Sequence, residues 1–281
     1  MGEVKNMHFT KMHGCGNDYV YVDGAKEKVK DKSLLAKQIS DRHFGIGSDG
    51  VIFINPSDEA DFEMEMYNAD GSQGEMCGNG IRCVGKYVYD HGMIKSDTVR
   101  ISTKAGIKTL KLKIEGDKAV EVTVDMGIPV FEPENIPVKL DGDRIISRPV
   151  AIGGREYKIT CISMGNPHCI VFVDDVNGID IEKTGPLFEN DPIFPRKVNT
   201  EFICVKDRTH IDMRVWERGS GETLACGTGA CAAAVACCLN GLTDRRIAVK
   251  LLGGILDIEY DEKDDHVYMT GPAVTVFEGD I

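Results

Sequence analysis

Apolar and polar residues alternate in short runs along much of the chain. The plainest are MEMY at 64–67, KTLKLKI at 108–114, AVEVTV at 119–124, YKITCI at 157–162, CIVFV at 169–173, IDMRVW at 211–216, IAVKL at 247–251 and LDIEY at 256–260. A period of two puts one set of side chains on one face of a strand, so these runs predict strands. Two segments depart from that period. Residues 79–90 and 228–240 read as helices, the second ending at Gly241, a residue suited to the left-handed turn that closes a helix. The second helix is so rich in alanine and other small residues that it is expected to lie buried among strands.

The pattern repeats. MEMYNADGSQGEMCGNG at 64–80 aligns without a gap on MRVWERGSGETLACGTG at 213–229, a spacing of 149. Met64 falls on Met213, Tyr67 on Trp216, Cys77 on Cys226, Gly78 on Gly227 and Gly80 on Gly229. The same spacing sets Gly16-Asn17 on Gly165-Asn166 and Phe53-Ile54 on Phe202-Ile203. Further on it slips by about one residue, matching VRISTKAGIKTLKL with IAVKLLGGILDIEY. Agreement at one spacing over such a stretch marks a duplicated unit. The expected fold is α/β (α+β), with two pseudo-twofold-related domains, each a mostly antiparallel sheet wrapped around a central helix.

Charge and composition narrow the function. The formal net charge is −12, from 33 Lys and Arg against 45 Asp and Glu. Such a chain repels phosphate backbones, and Arg245-Arg246 with scattered lysines makes no basic patch, so nucleic acid is not an expected partner. No apolar run approaches the ~18 residues of a membrane span, and the start MGEVKNMHFTKM has no apolar signal core. A cytoplasmic location is therefore expected. Ten cysteines stand in the chain without a single C-x-x-C. That weakens zinc-binding and thiol-redox readings and leaves reduced thiols, most of them small buried hydrophobes.

Two of the ten are different. Cys77 and Cys226 each precede a Gly-x-Gly that opens a helix. The first N–H groups of a helix lack intrahelical partners and its dipole is positive there, so a thiol at that point is expected to ionise more easily. Glycines let an anion lie against bare N–H groups. Two such thiols related by a repeat suit the inversion of a carbon centre. One base removes a proton from one face while one acid delivers a proton to the other. Preorganised N–H donors would stabilise the enediolate-like charge that develops on a carboxylate. This chemistry requires no pyridoxal cofactor and no metal.

The motifs GCGNDYVYVD, YNADGSQGEMCGNGIRC, SMGNPHCIVFVDD, VWERGSGETLACGTGACAA and YMTGPAVTVFEG closely resemble the diaminopimelate epimerase family, from about Met7 to the end of the chain. The resemblance implies a cofactor-independent isomerase of LL- and meso-diaminopimelate, in lysine and cell-wall precursor synthesis, with its active site between two similar domains. It also implies that the final strand returns to the first domain. The domains would then be 1–125 with 272–281, and 126–271. Cys77 and Cys226 match the family's acid/base cysteines. Gly78-Asn79 and Gly227-Thr228 match backbone donors to the reacting carboxylate, and Glu217 and His168 match residues near the α-amino group. Asn17, Asn68, Asn166, Asn199 and Arg218 match residues holding the substrate, largely at its distal end. The chemistry agrees, because amides both donate and accept and a guanidinium pairs with a carboxylate. Homodimers are common in the family, with Tyr268 near the matching interface.

Some positions depart from the family pattern. Gly50 stands where many members carry Gln, and it falls opposite Asn199 in the repeat. Residues MGEVKN precede the family's usual start and are expected to fray. Cys15, beside Asn17, carries no assigned role. Proline racemase or hydroxyproline epimerase activity is the alternative enzyme reading, disfavoured by Glu217-Arg218 and the GNPH motif. A thiol-redox or metal-binding protein is the alternative of another class.

Overall fold

The alternating runs lie in strands, as their period requires. The computed structural model of the chain describes residues 7–281, so the fraying expected of MGEVKN lies outside the described residues. In chain order the elements are β1 (His8–Gly14), β2 (Asn17–Asp23), α1 (Lys32–Ser40), β3 (Gly50–Asn55), β4 (Phe62–Asn68), α2 (Gly78–Asp90), β5 (Thr98–Thr103), β6 (Gly106–Glu115), β7 (Lys118–Asp125), β8 (Arg148–Ile152), β9 (Arg155–Ser163), β10 (Pro167–Phe172), α3 (Ile181–Glu189), β11 (Asn199–Val205), β12 (His210–Glu217), β13 (Gly221–Glu222), α4 (Gly227–Leu239), β14 (Arg246–Leu251), β15 (Gly254–Tyr260), β16 (Val267–Pro272) and β17 (Val274–Asp280). The result is a mixed α+β fold dominated by sheet.

Two compact units emerge. One holds the residues up to Val124 together with Gly271–Ile281, and the other holds Asp125–Thr270. In the first, strand neighbours run β17-β1-β2-β3-β4-β5-β6-β7, and β17 lies antiparallel to β1 with Phe9 opposite Gly279. In the second they run β8-β9-β10-β11-β12-β14-β15-β16. The order of directions is the same in both: two antiparallel pairings, one parallel, one antiparallel, one parallel, then two antiparallel. Register agrees as well. Tyr19 pairs with Gly50 in the first unit and His168 with Asn199 in the second, positions 149 apart in sequence.

Each unit wraps its sheet around one helix. Helix α2 packs on β1, β2 and β6, and α4 packs on β9, β10, β11, β14 and β15. The burial of α4 extends around the helix, from Ala230 through Cys237. Small side chains let strands approach it from every side, which is why an alanine-rich sequence is stable there. Helix α2 is also buried from Gly78 to Val88, and it carries Arg82 and Lys86 inside. Arg82 donates to the Gly78 and Pro272 carbonyls, and Lys86 to the Ala119 carbonyl and Asp90. These partners make the burial of two cations tolerable.

Helices α1 and α3 were not anticipated by the periodicity. They are also 149 apart, nine residues each. Helix α1 buries only Ala36, Ile39 and Ser40, too narrow a stripe to announce itself, and α3 contains Gly185 and Pro186, which read as loop. Helix α1 covers the β-face bearing Val20, Val22, Val51 and Phe53, and helix α3 packs on β11 and β12. On the other face of β2 and β3, Tyr21 bonds the Gly80 carbonyl and Ile52 abuts Gly80. Burial on both faces explains the continuous apolar run VIFI of β3.

Gly185 is fixed by close approach: a Cβ there would lie 2.3 Å from the ring of Trp216, the chain's one tryptophan. Gly185→Ala is therefore expected to destabilise the protein by about 1–3 kcal/mol through overpacking. Denaturant unfolding followed by Trp216 fluorescence checks this, and an unchanged midpoint would contradict it.

Candidate active site

Cys77 and Cys226 are the N-cap residues of α2 and α4. Both have extended backbone, φ −128° and ψ 118° at Cys77, φ −115° and ψ 111° at Cys226. In each case the sulfur accepts from the backbone N–H three residues on: Gly80 to Cys77 at 3.3 Å, Gly229 to Cys226 at 3.4 Å. The glycines make this possible. A Cβ on Gly80 would lie 2.8 Å from Ile52, and one on Gly229 would lie 2.6 Å from Glu201.

The two surroundings differ. In the first unit the Cys77 thiol donates to Asn17 Oδ1 at 3.1 Å. Asn17 is oriented by its own donation to Asp49 Oδ2 at 2.8 Å, which turns the amide oxygen toward sulfur. Asp49 in turn joins Asp18, Arg42 and Lys11 in an ion-pair cluster. Tyr19, buried beside Cys77, has its phenol pushed well up, chiefly by burial and then by that thiol. This half is built from neutral hydrogen-bonding groups next to the sulfur.

In the second unit the corresponding position to Tyr19 is His168, fully buried, with Nδ1 2.7 Å from Glu201 Oε1 and Nε2 2.9 Å from Asn166 Oδ1. Glu217 accepts from Thr223 Oγ1, yet burial raises its carboxyl above the ordinary value. Cys226 is 5% exposed, and Thr228 Oγ1 lies 3.5 Å from its sulfur. Burial, followed by the charges of Glu217 and Glu201, pushes the Cys226 thiol well above its usual range. This corrects the expectation that the helix start lowers it. A helix dipole is worth at most ~2 kcal/mol, whereas full burial shifts an ionisable group by up to ~3–5 units.

A family model described as diaminopimelate epimerase matches residues 9–132 and 160–276. A diaminopimelate epimerase of Acetivibrio thermocellus is 58% identical over 98% of each chain. One from Agathobacter rectalis is 57% identical over 98% of this chain and 99% of its own. The chain belongs to the diaminopimelate epimerase family. Solved structures share its fold at low identity. A PhzF-family phenazine biosynthesis protein from Bacillus anthracis has a TM-score of 0.71 at 17% identity, covering 99% of both chains. A hydroxyproline epimerase from Agrobacterium vitis has a TM-score of 0.69 at 15% identity, covering all of this chain and 92% of that one.

In this diaminopimelate epimerase family member, Asn17, Cys77, Gly78 and Asn79 gather at the start of α2, and Asn166, His168, Glu217, Cys226, Gly227 and Thr228 near the start of α4. Asn68 is turned to Ser72 Oγ at 3.0 Å in a turn that also uses Asp70. Asn199 is buried, donating to the Pro167 carbonyl and accepting the Arg218 N–H. Its amide ties strand to strand and keeps one hydrogen and one lone pair in hand. Arg218 is exposed, with its guanidinium on the Arg196 carbonyl at 3.2 Å. A Cβ at Gly50 would lie 2.1 Å from the Tyr67 carbonyl oxygen and 2.9 Å from the Tyr19 ring, so the backbone at this position leaves no room for a side chain. Tyr19, Asp49, Thr223 and Glu201 were missed by sequence reasoning. Only Glu201 left a signal there, a carboxylate inside the apolar run EFICV, with Ile52 as its repeat partner.

The remaining cysteines behave as packing. Burial raises Cys83 to about 11 and Cys237 to about 12, and Cys15 lies beneath the Arg82 guanidinium at 3.7 Å. Among the described residues, no group of three or more His, Cys, Asp or Glu is placed to hold a metal ion. Because Cys77 is half-buried and Cys226 buried with a raised thiol, iodoacetamide at pH 8 is expected to alkylate Cys77 on the order of tenfold faster or more. Peptide mass spectrometry reads this out. Faster modification of Cys226 would contradict the electrostatic picture.

Proposed function

We propose that this chain interconverts LL- and meso-diaminopimelate by two-base proton transfer, Cys77 serving one face of the α-carbon and Cys226 the other. The observation that carries the reading is the matched placement of both sulfurs at the N-caps of corresponding central helices, in a chain 58% identical to a named diaminopimelate epimerase. The reacting carboxylate would lie against the first N–H groups of the helices, at Gly78-Asn79 and Gly227-Thr228, where four donors per helix lack intrahelical partners.

The two halves divide the work. Glu217, near Cys226, supplies the carboxylate charge that orients the α-ammonium, and His168 lies beside that end of the substrate. Asn17, Asn68, Asn166, Asn199 and Arg218 hold the rest of the substrate, Arg218 as the carboxylate's fork. Glu217 and Asn68 occupy equivalent repeat positions, one charged and one neutral, so duplication followed by divergence gives one end for chemistry and one for recognition. The reaction as drawn needs only side chains and backbone N–H groups. The reading extends to a homodimer acting in the cytoplasm. It is supported by the biosynthetic role of the family to which the chain belongs. Among the described residues, no helix is long and apolar enough to cross a membrane.

Cys77→Ala and Cys226→Ala are each expected to lower epimerisation of LL-diaminopimelate by roughly 10²–10⁴-fold, the usual worth of a positioned acid or base. A stereochemical assay on LL-diaminopimelate, with L-proline and trans-4-hydroxy-L-proline as comparisons, tests it. Full activity in either variant, or turnover of the prolines alone, would overturn the assignment.

A further inference from the structure

Glu201 is a fully buried carboxylate that the proposed reaction does not use. Its Oε1 lies 2.7 Å from His168 Nδ1, both side chains 0% exposed, and its Oε2 has no hydrogen-bond partner. It sits under the first turn of α4, close enough that position 229 has no room for a Cβ. An unpaired carboxylate oxygen in the core is costly. The space made for it at Gly229 and its short contact to His168 point to a task beyond packing.

We propose that Glu201 is a positioning residue that locks the tautomer of His168, keeping a proton on Nδ1 so that Nε2 alone varies. The inference rests on the reading of His168 as a site residue. Which ring nitrogen carries the proton is set by the hydrogen bond that the other makes. A carboxylate accepts only, so Nδ1 must donate to it. Asn166 stands at Nε2 with its Oδ1 2.9 Å away. Two acceptors around one ring satisfy a doubly protonated imidazolium. A half-turn of the Asn166 amide presents Nδ2 instead and satisfies the neutral ring with Nδ1–H. Glu201 thus confines every protonation change of His168 to the nitrogen beside Asn166, and the amide follows it. The other titratable groups facing this pair are Glu217 on β12, Cys226 at the α4 N-cap and Cys169 on β10.

Two variants test this. Glu201→Gln keeps the shape and an acceptor oxygen, and Glu201→Leu removes the acceptor. Long-range ¹H–¹⁵N spectra of the full-length protein at pH 8 read the His168 tautomer without any turnover. The wild-type and Glu201→Gln proteins should show Nδ1–H, and Glu201→Leu should revert to Nε2–H. In the epimerase assay Glu201→Leu should lose roughly 10–100-fold in kcat with KM nearly unchanged, the scale for removing a residue that orients another. Glu201→Gln should recover much of the loss. An Nε2–H tautomer in the wild type, or Nδ1–H persisting in folded Glu201→Leu, would overturn the proposal. The spectra decide this even if diaminopimelate were not the substrate, so the two readings fail separately.

Discussion

A helix that starts inside a sheet cannot hand its first N–H groups to water. In each unit a cysteine sulfur takes one of them, Gly80 to Cys77 and Gly229 to Cys226. Much else follows from that constraint. The third helical residue must be glycine, because Ile52 and Glu201 close in on it. Strands can surround α4 because its side chains are small, and α2 because its buried cations have partners. The cap must also sit at the sheet's parallel step, where β2 meets β3 and β10 meets β11, since that step brings Asn17 beside one sulfur and His168 near the other.

The same cap then serves two electrostatic settings. Beside Cys77 the groups are an amide and a phenol, with the nearest charges gathered one residue further out in the Lys11, Asp18, Arg42 and Asp49 cluster. Beside Cys226 they are two carboxylates and an imidazole. A thiol donating to an amide oxygen and a thiol facing carboxylates have different proton affinities. A two-base enzyme needs one sulfur protonated and one not, and built-in inequality is a physical route to that state. The pseudosymmetry of the chain gives two thiols; the divergence of Tyr19 from His168, and of Ile52 from Glu201, makes them unequal.

The duplication was legible in the sequence because strand and helix lengths survived it, so one spacing aligned Cys77 with Cys226 and Gly16-Asn17 with Gly165-Asn166. The central helices were legible from capping glycines and small residues. Helices α1 and α3 were not, since a three-residue buried stripe and an internal proline carry no clear period. At the site, the residues inside glycine-flanked motifs stood out, whereas Asp49 read as part of a turn and Glu201 as part of a strand. Their importance comes from what lies across the sheet, which no local window contains. The ionisation of Cys226 was read backwards for the same reason: the helix end is visible in sequence, and the burial that outweighs it is not.

The central claim is that two separate thiols handle the two faces of one carbon. Epimerisation of LL-diaminopimelate in deuterated water, sampled in the first few per cent of turnover, addresses it directly. Mass spectrometry of the separated stereoisomers should find deuterium at the α-carbon of the meso product and little in the recovered LL substrate, because the sulfur that delivers the proton is not the one that removed it. Equal early labelling of both stereoisomers would mean that a single base exchanges with solvent and serves both faces, and the two-thiol account would be wrong.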